Sequence, residues 1–148
     1  MRIKDKIKRP RRPVVVYEIL PPREKDGTLN SYAANISSLL SQTHIDAINI
    51  PEVRDEVARG ERPIKNQIRA EPREFGRLLQ DIVGIEAIIN RVVVHQDMEK
   101  EMTWLEETNK KYEIENLITV GGESRSIKYP GPSVNQALAA ISKDQKLN

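Results

Sequence analysis

Three polar groups in this chain stand where apolar runs end. Glu18 lies inside Val14-Val15-Val16-Tyr17-Glu18-Ile19-Leu20, a β-branched run closed by Pro21-Pro22. His95-Gln96-Asp97 ends the run from Ile85 to Val94, and Gly121-Gly122-Glu123-Ser124 follows Leu117-Ile118-Thr119-Val120. A carboxyl at such a position is equipped for general acid or base work. Paired glycines leave backbone amides open to an anion or a ring edge. In sheets built from βα units, ligands bind at the C-terminal ends of the strands, so these groups could share one rim. Each also has a plainer use. Glu18 could face solvent at a sheet edge or pair with an arginine, His95 could be a surface residue, and Glu123 could cap its loop through Ser124 or Ser126.

The elements that would position these groups alternate along the chain. The run from Val14 to Leu20 reads as a strand covered on both faces, ended by the two prolines, which remove backbone donors. Lys25-Asp26-Gly27 is a turn signal. Leu29, Tyr32, Ala33, Ile36, Leu39 and Leu40 then recur at helical spacing behind Thr28, a residue suited to the N-cap. His44 to Ile50 reads as a second strand stopped by Pro51. The polar stretch from Glu52 to Ala70 is long for a βα loop, and is either a loop over the site or a surface excursion with a short helix. Pro72 at a first helical position and Gly84 at the end bracket a helix with Phe75, Leu78, Leu79, Ile82 and Val83 on its apolar face. A third strand covers Ile85 to Val94. The next helix should bury Met98, Met102, Leu105 and Tyr112, with Trp104 beside that stripe. A fourth strand, Leu117 to Val120, precedes a last helix that opens near Pro132-Ser133 and carries Val134, Ala137, Leu138 and Ile141.

Four βα units in series imply an α/β fold with a parallel sheet and right-handed crossovers. Either an open doubly wound sheet or part of a (βα)8 barrel fits this order. Polar groups at every strand end favour the barrel, whose active site is assembled from several strand ends. The first strand has no G-x-G-x-x-G turn behind it, so dinucleotide binding in the Rossmann manner has no support. Neither a Ser/His/Asp set with motif spacing nor H-E-x-x-H is present, which leaves nucleophilic hydrolysis and zinc chemistry without support.

Composition sets the outer bounds. The chain has 148 residues and no cysteine, so it builds no disulfide framework or thiolate metal site, and a reducing cytoplasm is its natural compartment. No apolar run approaches the roughly 20 residues needed to cross a bilayer. The formal net charge of +2 is unevenly spread: residues 1–12 hold seven basic residues against Asp5, a net +6, and the rest of the chain carries −4. This basic arm could neutralise nucleic-acid phosphates, but it lacks an aromatic for base stacking. It reads as a solvated N-terminal extension ahead of a single domain over residues 13–148.

The motifs together resemble the methylenetetrahydrofolate reductase family. The resemblance runs from Tyr17-Glu18-Ile19-Leu20-Pro21-Pro22 through Asn49-Ile50-Pro51-Glu52 and Asn90-Arg91-Val92-Val93-Val94-His95. It continues in Val120-Gly121-Gly122-Glu123-Ser124 and Tyr129-Pro130-Gly131-Pro132-Ser133-Val134. It implies a flavin-containing (βα)8 barrel that reduces 5,10-methylenetetrahydrofolate to 5-methyltetrahydrofolate. FAD, or else FMN, would be the cofactor, with NAD(P)H as a possible electron donor. By position Glu18 inherits the role of general acid, which desolvation in a pocket would favour. Glu123 stands where the family commonly has the aspartate of Arg-Gly-Asp, one methylene longer and without the arginine. His95, Gly121 and Gly122 fall where flavin contacts are expected. Tyr129 could stack on an adenine or isoalloxazine ring, or pin a loop against the fourth helix.

Four units amount to half of such a barrel, which needs about 250 residues. Unprotected sheet edges invite pairing, so an oligomer or a second half-barrel chain is expected, unless this is a fragment of a longer product. The alternative is a non-catalytic folate- or flavin-binding module that assembles with a partner reductase subunit.

Overall fold

Strands β1 (Val16–Glu18), β2 (Ala47–Pro51), β3 (Ala87–Val92) and β4 (Asn116–Val120) lie side by side in chain order, and every neighbouring pair is parallel. This is a computed structural model, and it describes residues 2–54 and 68–143. Helices α2 (Leu29–Leu40), α3 (Pro72–Val83), α4 (Met98–Lys110) and α5 (Val134–Lys143) follow the four strands in turn. The chain is thus an α/β protein with a four-stranded parallel sheet and alternating βα units. Most of the 52–70 segment lies outside the described residues. Its end returns to the double proline, where the Pro22 carbonyl accepts the Ala70 N–H at 2.9 Å and the Pro21 carbonyl accepts from Arg69 at 2.7 Å.

Local chemistry sets the helix ends as the residue types dictate. The Thr28 hydroxyl accepts the Ser31 N–H at 3.2 Å, which satisfies one of the orphan donors of α2. Pro72 occupies the first turn of α3, and Gly84 ends it in the left-handed region at φ 72°, where a side chain would be strained. The Asp97 carboxylate caps α4 by accepting the Lys100 N–H at 2.9 Å.

The two faces of the sheet differ. Ile19, Ile48, Ile50, Ala87 and Ile89 point to the helix side and pack with Ala33, Leu40, Phe75 and Leu79. Gly76 brings α3 close to the sheet, since a Cβ there would stand 3.2 Å from both Ile50 and Ile89. Because side chains alternate along a strand, Val16, Glu18, Asn49, Ile88, Asn90, Ile118 and Val120 point the other way. Among the described residues, only the N-terminal end of that second face is covered by a helix, α1 (Ile3–Lys8), whose Ile3 packs with Ala47, Ile88 and Val14.

This arrangement corrects three expectations. The first strand is not covered on both faces. It is three residues long and exposed throughout, with Val16 (43%) on the second face and Tyr17 (54%) on the helix side, because β1 is the edge strand of the sheet. The basic arm is not a solvated extension, since Ile3 is buried and its N–H donates to the Glu86 carboxylate. The third strand stops at Val92 and turns into a 3-10 segment, Val93–His95.

Asp46 ties the arm down. Its buried carboxylate accepts from the Val15 N–H at 2.9 Å and from Arg12 at 2.7 and 3.0 Å, and pairs with Lys6 at 2.9 Å. The Val15 amide first, then the Lys6 ammonium, hold this carboxyl well below its usual 3.8. A depressed folded value means that the contribution is present above the unfolded pKa and is lost as pH falls through the folded one. Asp46→Asn should therefore lower the melting temperature at neutral pH and flatten its decline below about pH 4. Melts from neutral to strongly acid pH test this, and an unchanged acid slope would contradict it.

Candidate functional site at the strand ends

The C-terminal ends of β1 and β2 bring Glu18 and Asn49 together. The register places them opposite each other, and Asn49 Nδ2 donates to Glu18 Oε2 at 3.0 Å. Glu18 itself is exposed, so the described residues provide no closed, desolvating pocket around its carboxyl. Asn49 is only 9% exposed, and its Oδ1 has no hydrogen-bond partner. Asn90 Oδ1 on β3 is likewise buried without a partner. Asn90 lies two residues beyond Ile88, the register partner of Asn49, and so faces the same way.

A second cluster forms at the ends of β3 and β4. The His95 ring meets Tyr129 edge-on, with centroids 5.7 Å apart at 78°. The Tyr129 hydroxyl accepts the Ser124 N–H at 3.0 Å. Gly122 is the space that tyrosine needs, since a Cβ there would lie 2.1 Å from Cζ. Gly131 donates its N–H to the Val94 carbonyl at 2.9 Å, and a Cβ on it would stand 2.3 Å from the Gln96 carbonyl oxygen. Both glycines thus pin the loop after β4 to the end of β3, and Tyr129 packs in one cluster with Val93 and Val94 and with Val134 of α5. Gly121 differs, for a Cβ there would meet only Val134, at 3.6 Å. Its backbone can be approached from the exposed side of β4, beside Ile118 (45% exposed) and Val120 (37%). Glu123 is exposed in the loop beyond.

The expected rim is therefore two sites. Glu18 ends β1 and Glu123 lies beyond β4, the two edge strands, three interstrand spacings apart, roughly 14 Å at backbone level. His95, Gly122 and Tyr129 assemble with each other and not with Glu18.

Behind this rim, Arg91 is buried between β3 and α4. Its Nε and Nη2 donate to Glu101 at 3.0 and 2.9 Å, and its Nη1 donates to Glu52 at 2.9 Å. Glu52 also accepts the Val92 N–H at 3.0 Å and so locks the end of β2 to β3. Trp104 lies between two guanidiniums, with Arg91 4.3 Å and Arg73 4.5 Å from its ring centre. Sequence reading missed this network, which shows only as an arginine in an apolar strand and a glutamate one turn inside a helix. It also missed Asn49 and Asn90, whose signal is a polar residue at alternate positions of otherwise apolar strands.

Among the described residues, no group of three or more His, Asp or Glu side chains is placed to hold a metal ion. None of their helices is long and apolar enough to cross a membrane. A cavity of about 350 Å³ lies at the opposite end of the sheet, among Lys6, Arg12, Val14 and Asp46, around the ties of α1 and away from the strand ends. No protein-family model matches the chain, and no curated protein matches it.

Proposed function

We propose that this chain is half of a (βα)8 barrel and acts as a flavin-dependent oxidoreductase of one-carbon metabolism, similar to methylenetetrahydrofolate reductases, with a second half-barrel completing the ring. The observation that carries the reading is the Glu18 carboxylate, held at 3.0 Å by Asn49 at a strand end, on the one sheet face that no helix from α2 to α5 covers. An eight-stranded barrel has its lumen on such a face and its chemistry at such an end. The α1 helix sits where it would close the bottom of that lumen.

The β4 side fits a flavin. Exposed Ile118 and Val120 suit a flat apolar ring, and the open Gly121 backbone suits its polar edge. A flavin held there supplies reversible hydride transfer. The chain's own contribution is at Glu18. Reducing a methylene bridge to a methyl group needs a proton on the nitrogen that departs, and a strand-end carboxyl fixed in direction by Asn49 delivers it.

Titration of the full chain with FAD and FMN, followed by fluorescence quenching, tests the cofactor assignment. Saturable binding is expected, and Glu123→Gln should weaken or alter it. A folded chain that binds neither flavin means that the flavin site needs the second half or has been lost. The runner-up, a binding or assembly module, would then lead. It is favoured by the wide separation of Glu18 from Glu123 and by the exposed Val16 and Tyr17 on the β1 edge.

A further inference from the structure

The two helices at the ends of the helix layer are the two that lack charge. The sheet order β1-β2-β3-β4 makes α2 and α5 outermost, packed on the inner helices α3 and α4 respectively. In a chain with 31% charged residues, α3 carries four charged side chains and α4 carries six. Helix α2 has none in twelve residues, and α5 has only Lys143 at its last position. Their exposed faces are small and neutral instead: Ala34, Asn35 and Ser38 on α2, and Asn135, Ala139 and Ser142 beside half-exposed Leu138 on α5. A helix face turned to water normally carries charge, whereas the core of an interface is depleted of it. The two ends are also complementary. A helix reached from β4 by a right-handed crossover lies over the position of the next parallel strand, and among the described residues no strand occupies it. β1 is in the reverse condition, a strand whose helix-side Tyr17 is 54% exposed. One edge holds a helix that wants a strand, and the other holds a strand that wants a helix.

We infer that the second half of the ring is a second copy of this chain. The two copies are related by a two-fold axis along the barrel: β4 of each pairs in parallel with β1 of the other, and α5 of each packs against α2 of the other. This rests on the half-barrel reading above and names its partner, but it does not depend on the flavin. Each junction is head-to-tail, and two of them close the ring with no edge left over. The surface available is sufficient. Val16, Tyr17, Leu39, Ile118, Val120 and Leu138 are 37–63% exposed. At about 150–250 Å² for a large side chain, they leave roughly 500 Å² open per copy and roughly 1,000 Å² for two, where specific interfaces begin. The strand edges add to this. Closure also changes the site. Within one chain three interstrand spacings separate Glu18 from the end of β4, but across the junction Glu18 of one copy stands one spacing, about 5 Å at backbone level, from the Gly121 end of the other. Each open β4 end is thereby completed by a carboxyl from the partner copy.

Sedimentation equilibrium of the full chain is expected to give a dimer at micromolar concentration. Ala34→Glu on α2 or Leu138→Glu on α5 should raise the dimer Kd at least about tenfold, because each junction would then withdraw a charge from water. Ile82→Glu, at a comparably exposed position of the inner helix α3, should leave it unchanged and so controls for folding. The absence of native cysteine permits a direct test of the geometry. With a short bismaleimide, the double variant Asn35→Cys, Leu138→Cys should cross-link between copies, whereas either single variant should not, since like helices lie on opposite sides of the ring. A monomer, an open assembly larger than two, cross-linking by a single variant, or a loss of association shared by Ile82→Glu overturns the inference. The flavin titration separates the two proposals. Flavin binding by a monomer leaves the oxidoreductase reading and removes this one, whereas a dimer joined as described that binds no flavin does the reverse.

Discussion

In the proposed reductase, Glu18→Gln is expected to lower the rate of methylenetetrahydrofolate reduction by about 10²–10⁴-fold, the usual worth of a positioned general acid, with flavin affinity unchanged. The substitution isolates the proton. A glutamine keeps an oxygen that can accept from Asn49 Nδ2, so the contact seen at 3.0 Å survives. Glu18 is exposed and takes no part in the helix-side core, so the fold should not respond. The readout is turnover with reduced nicotinamide as donor, beside the pH profile of kcat. Loss of the decline in kcat toward alkaline pH, which an essential acid imposes, accompanies the loss in rate if Glu18 is the acid. A variant that turns over like the parent would place the acid elsewhere.

Glu101→Ala is expected to destabilise the fold by about 3–5 kcal/mol, the cost of leaving a buried charge without its partner. Glu101 is fully buried, and Arg91 is 2% exposed. Arg91 meets Glu101 through two of its nitrogens, and Gln96 donates to the same carboxylate at 3.1 Å. Removing the carboxylate leaves the guanidinium to Glu52 alone on the far side. Replacing Arg91 and Glu101 together with methionine and leucine should recover much of the loss, because exchanging a buried pair for packed apolar groups is often neutral. Denaturant unfolding measures both. A small effect of the single change would mean that water reaches Arg91.

The same pair explains what sequence reading could and could not reach. Helix α3 was legible to its ends, since Pro72 and Gly84 act through local backbone geometry that no distant contact overrides. The alternation of strands and helices was legible for a similar reason. Helix α4 was misread. Hydrophobic spacing chose Met98, Met102, Leu105 and Tyr112, but the buried positions are Glu101, Leu105 and Thr108. A charged residue can occupy the centre of a buried face only because its partner arrives from another strand, and that partner is invisible from the helix alone. The apolar run Val14–Leu20 misled in the opposite sense. Its composition signals a strand, but whether a strand is covered depends on which neighbours the topology supplies, and β1 has one. At the site, Glu18 could be placed on a strand end from its prolines. Its fixing by Asn49 needed the register between β1 and β2.

The seating of α1 bears on the order in which the chain assembles. A six-residue helix is far too short to persist alone in water, and its anchors are distant: Ile3 bonds to Glu86 across 83 residues, and Arg12 reaches Asp46 across 34. Closing loops of that size gives no return until the far partner is in place. As the chain is synthesised, α1 must therefore stay unfolded until β3 has been made. Its seating then reports that β2 and β3 are in place.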